Sequence, residues 1–162
     1  MYDGVTNAIC EVAWDMVYPA VGRAAEQGVV EACQGTVVVL DPTVPYAPTA
    51  AAAPILFEAS IGAEVAMFRK FATAKAAVTW RTGLSSRQVQ QTYPHLYLPG
   101  DVKWGGSVVR DGLIVAFSGV QAVLDEMIAG WMADALIGLC REAMTKPDGV
   151  MASYSSYLGR DS

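Results

Sequence analysis

The sequence predicts an α+β fold, and three features carry that expectation. Asp111-Gly112 stands between two β-branched, apolar runs at 107–110 and 113–118, and a tight primed turn needs two residues that tolerate positive φ. Directly after Gly119 the apolar period changes from two to about 3.6, with Leu124, Ile128, Trp131, Ala135, Ile137 and Leu139 marking the buried side of a helix of roughly six turns. Residues 36–41 are a continuous β-branched run, the pattern of a strand covered on both faces.

The remaining elements follow in chain order. Thr6 or Asn7 caps a first helix reaching about Gln27, with Ile9, Val12, Ala13, Met16, Val17 and Ala20 as its apolar stripe. Pro19 is expected to kink or split that helix, and Gly28 to stop it. Residues 42–54 carry four prolines, which hold the chain extended as a surface loop or an arm over a neighbouring subunit. A short strand at 55–60 precedes a second helix at 64–80, where Ala72, Ala76 and Ala77 permit close approach to a sheet. Ser85 and Ser86 open a short third helix to about Gln91, and residues 93–100, with two prolines and a glycine, read as irregular. From residue 146 the chain becomes a polar, serine-rich tail.

Length and composition bound the rest. The 162 residues are read as one domain, 53% apolar and only 17% charged. So little charge leaves apolar surface for other copies of the chain to cover, so a homo-oligomer is expected. A net charge of −5 without a basic stripe excludes nucleic acid as a partner and disfavours an anionic membrane surface. Cys10, Cys33 and Cys140 are odd in number and set in apolar patterns, as reduced thiols of a cytoplasmic protein would be. The first residues lack the basic start of a secretory signal. With one histidine and no Cys-x-x-Cys pair, no metal site is expected. Dinucleotide, Walker and nucleophile-elbow signatures are also missing.

Three groups of residues resemble the GlcG/HbpS family, the haem-degrading domain-like group that includes the PduO C-terminal domain. They are Ala72 to Ala77 followed by Ser85-Ser86-Arg87-Gln88; Leu98-Pro99-Gly100 running into Gly105-Gly106; and Arg110-Asp111-Gly112 with 115–119 and then Asp125-Glu126. The resemblance implies a profilin-like antiparallel sheet of about five strands with helices on both faces, and assembly from dimer to octamer. It also implies binding of haem or another flat apolar ligand, so haem is the cofactor it suggests. Asp41 and the proline-rich insert stand where the family has an Asp-x-Gly-Gly turn, and 115–119 replaces a glycine-rich strand. Both departures imply a remodelled, narrower pocket.

Three functional readings are open: an oligomeric small-molecule-binding protein, a cofactor-independent isomerase, lyase or hydratase acting on a small oxygenated metabolite, or a purely structural subunit. For the second, Lys75, His95 and Glu126 are the candidate acid/base residues. Lys75 lies on an alanine-rich helical face where burial would lower its pKa, although a lysine stem also serves to cover apolar surface. His95 is a candidate general base or iron ligand, unless it merely bonds loop backbone. Tyr93, Trp104, Gly105, Gly106 and Asp125 are the candidate ligand-binding residues: aromatic walls, close backbone approach and a polar edge. Asp125 and Glu126 equally suit the positive end of a helix dipole. The methionines at 67, 127, 132 and 144 are read as core.

Overall fold

In the computed structural model, which describes residues 2–146, the β-branched run forms β1, Gly35–Leu40, buried at every position. β1 lies inside a four-stranded antiparallel sheet of order β2-β1-β4-β3, with β2 at Ile55–Ile61, β3 at Ser107–Arg110 and β4 at Leu113–Ser118. The count is four strands, not about five. Among the described residues the segments between the strands are the proline-bearing stretch 41–54, the helical stretch 62–106 and the Asp111-Gly112 turn, and none of them supplies a further ladder. Val38 pairs with Glu58 on one side and Ala116 on the other, and a bulge at the end of β1 sets Leu40 opposite Ile55. The β3–β4 turn has Asp111 at φ 50° and Gly112 at φ 82°, two successive left-handed residues that match the strand twist.

Side-chain alternation sends the two faces of the sheet to different helices. Val37, Val39, Val115 and Phe117 pack against α1, Asn7–Glu26, and α4, Ala122–Met144, together with Ile9, Ala13, Ile128, Met132 and Leu136. Val38, Leu40, Ile114 and Ala116 meet Ala72 and Ala76 of α2, Val65–Thr82. α3, Ser86–Thr92, is fixed by a capping box in which the Ser85 hydroxyl accepts from the Gln88 N–H while the Gln88 side chain accepts from the Ser85 N–H.

Pro19 does not split α1, which runs as one helix with Asp15 and Pro19 both on its exposed side. Its end is a Schellman motif, with the Gly28 N–H on the Ala25 carbonyl and the Val29 N–H on Ala24. The proline-rich loop folds back on its own chain: the Trp80 indole donates to the Val44 carbonyl and Tyr46 meets the Trp80 ring edge-on. Met67 and Met144 are exposed, at 42% and 61%, whereas Met132 is core. Beyond Lys146 the expected polar tail lies outside the described residues. Among the described residues no helix is long and apolar enough to cross a membrane, and no cluster of three or more His, Cys, Asp or Glu is placed to hold a metal ion.

Candidate functional site

Small residues on α2 bring its axis close to the sheet, and that closeness carries Lys75 to the end of β4. The Lys75 Nζ donates to Asp125 Oδ2 at 2.8 Å and to the Phe117 carbonyl at 3.2 Å. Asp125 Oδ1 in turn accepts from the backbone N–H groups of Gly119, at 3.1 Å, and Val120, at 2.9 Å. The carboxylate thus fastens the corner where β4 becomes α4, and it sits in that helix's first turn, where the dipole favours it. Both side chains are 2–3% exposed. Gly106 makes room for the pair. Its φ is +131°, and an added Cβ would lie 2.7 Å from the Phe117 oxygen and 2.8 Å from Nζ.

Burial disfavours charge on both partners. It pushes the Lys75 ammonium below its ordinary value against the pull of Asp125, and raises the Asp125 carboxyl against Lys75 and the two backbone donors.

This pair forms the floor of a cleft of about 490 Å³. Met67, Phe68 and Phe71 of α2 line it together with Trp104 and Ala122, and Glu31, Gln34 and 118–120 complete it. Trp104 is 53% exposed and meets Phe71 edge-on, with ring centroids 5.2 Å apart. Gln34 is held by donating its amide N–H to the Gly119 carbonyl.

Of the residues singled out in the sequence, Lys75, Asp125, Trp104 and Gly106 come together here. Gly105 is buried beside them, against Ala122 and the stem of Arg87. Glu126 faces outward and pairs with Arg87, Nε to Oε2 at 2.7 Å. Tyr93 and His95 are exposed, 6.0 Å apart between ring centroids, at the 3₁₀ turn Pro94–Leu96 and outside the lining of the cleft. That loop is anchored separately by Arg81, which bonds the Leu96 carbonyl and pairs with Asp101 at 2.6 Å. The apolar wall of α2 was not singled out, although its signal was present: positions 67, 71 and 75 are four apart and so share a helix face. Glu31 and Gln34 precede β1 in an irregular segment without any motif, and only the fold brings them to the cleft.

No protein-family model and no curated protein matches the sequence. Solved structures do match the fold. Klebsiella pneumoniae protein ORFY, a DUF336 protein, superimposes with a TM-score of 0.55 at 15% identity, over 78% of this chain and 88% of its own. A double mutant of Streptomyces reticuli HbpS gives 0.55 at 17%, over 84% and 89%, and a PduOC–haem complex gives 0.51 at 19%, over 76% and 91%. The architecture is therefore the one implied by the GlcG/HbpS-like motifs.

Proposed function

We propose that this chain binds a small molecule with a flat, apolar body in the cleft between α2, Trp104 and the start of α4. The observation that carries the reading is an aromatic-walled cleft of about 490 Å³ closing on a buried Lys75–Asp125 pair, a volume and a mix of apolar wall and few polar groups typical of ligand sites. The fold likeness to a haem complex supports a flat ligand. Iron coordination is a poorer fit. The lining offers no histidine, cysteine or tyrosine, and its thioether, Met67, is a weak ligand, while His95 lies on another loop. The cation in the lining, Lys75, is already committed to Asp125.

Ligand-observed NMR with 2-naphthol, a flat neutral probe, tests the reading. Saturable binding that weakens about tenfold in Trp104→Ala is the expected result; no binding, or equal binding by the variant, overturns it. Trp104 is exposed enough for the variant to fold.

The buried Lys75–Asp125 pair in the lining of the cleft favours a second reading, cofactor-independent proton transfer. A bound carbonyl compound would give a proton from the carbon beside its carbonyl to the Lys75–Asp125 pair and take one back. In heavy water, 2-acetonaphthone should then exchange its methyl protons faster with the protein than without it; an unchanged rate removes this reading. Self-association belongs to the proposal as well, supported by exposed Val123, Leu98 and Trp104, and light scattering that returns the mass of one chain would refute it. Three free thiols accord with a reducing, cytoplasmic compartment.

A further inference from the structure

The charge of the cleft deepens that reading, on which the following rests: we infer that the site takes a neutral or cationic ligand and turns anions away. Three ionisable side chains line it, Glu31, Lys75 and Asp125. Whether the shared proton sits on Nζ or on the carboxyl, Lys75 and Asp125 together are neutral. What remains is the formal negative charge of Glu31 at the exposed side.

Among the residues that line the cleft an anionic ligand finds no free cation. Recruiting the Lys75 ammonium would strip Asp125 of its partner inside the protein, which is more costly than leaving the pair intact. Of the cations outside the lining, Arg87 pairs with Glu126 and Arg69 with Glu58, Lys103 lies over the Tyr97 ring at 5.3 Å, and Lys70 is exposed just before Phe71 in the chain.

The other polar groups of the lining do not offset that charge. The Gln34 amide gives one N–H to Gly119 and keeps its oxygen and second N–H beside the Glu31 carboxylate, and the Trp104 indole N–H is a neutral donor. Phe68, Phe71 and Trp104 add aromatic rings, which accommodate positive charge better than negative. One uncompensated carboxylate among aromatic rings favours a flat body that is neutral or carries an ammonium over one that carries a carboxylate. It does not favour a dicarboxylate such as a porphyrin with two propionates.

A matched series tests this in the intact chain at pH 7: (2-naphthylmethyl)ammonium, 2-naphthol and 2-naphthoate, compared by ligand-observed NMR and calorimetry. The ammonium should bind at least tenfold more tightly than the carboxylate, with the naphthol between them, and added salt should narrow the gap. Glu31→Gln should narrow it, and Glu31→Lys, at an exposed position that does not affect folding, should reverse the order. A carboxylate that binds as well as the ammonium, or an order indifferent to Glu31→Lys, overturns the inference while naphthol binding keeps the cleft as a ligand site. Failure of all three probes overturns both.

Discussion

The two faces of the sheet are built to different standards. On the α1/α4 side, large aliphatic and aromatic side chains interlock: Val37, Val115, Phe117, Ile128, Met132 and Leu136 are all fully buried. On the α2 side the apolar layer is thin, Ala72 and Ala76 against Val38, Leu40, Ile114 and Ala116, and the same helix buries Lys75 and Thr79. The Thr79 and Ser107 hydroxyls on that side are buried without a hydrogen-bond partner among the described residues. Burying polar groups costs free energy that the thick face supplies, and the difference shows where the molecule trades packing for chemistry.

Substitutions should expose that asymmetry. Phe117→Ala, on the thick face, is expected to cost about 3–5 kcal/mol by urea denaturation, whereas Ala76→Gly on the thin face costs about 1 kcal/mol. Equal losses would erase the contrast.

Lys75→Met should cost about 3 kcal/mol, because it leaves Asp125 buried and unpaired, and Lys75→Met with Asp125→Leu should recover at least half of that. The pair also gives a pH signature. Since the folded state raises Asp125 above its ordinary 3.8, the native protein binds more protons there and stability falls as pH rises from 3.8 to the folded value. Since it lowers Lys75 below 10.5, the unfolded chain binds more protons above the folded value and stability rises with pH up to 10.5. The double variant should show neither limb.

Outside the cleft, Asp101 behaves in the opposite way. Burial tends to raise it, but Arg81 and the Leu98 N–H outweigh that and hold it low. Its contribution is present above the ordinary carboxylate value and lost as pH falls through the folded one. Arg81→Met should therefore lose about 1 kcal/mol at neutral pH, with its curve meeting the wild type's in acid. Smallest of all, Ser85→Ala should cost about 0.5–1 kcal/mol through the α3 capping box, with no effect on naphthol binding.

Much of the architecture was legible because it rests on local chemistry. Asp111-Gly112 specifies a primed turn, Thr6 a helix start, Gly28 and Gly83 helix stops, and alternating apolar residues two-sided burial; each needs only neighbours in the chain. Lys75 and Trp104 were legible for a similar reason, as a charged residue on an alanine-rich face and an aromatic beside glycines, Gly106 as a place for close backbone approach, and Asp125 as a carboxylate at a helix start. The fifth strand rested on likeness and had no strand-forming segment behind it. Splitting at Pro19 depended on which way the proline faces, and that is fixed by packing.

By itself, then, the chain determined its elements and their order, since turns, caps and period are short-range effects. Only the tertiary structure decided which groups share a site: Lys75 and Asp125 lie 50 positions apart, and Glu31 reaches the cleft through the path into β1. Pairing across such distances depends on how the sheet and helices stack, because a charge is tolerated inside a protein only where the fold delivers its partner.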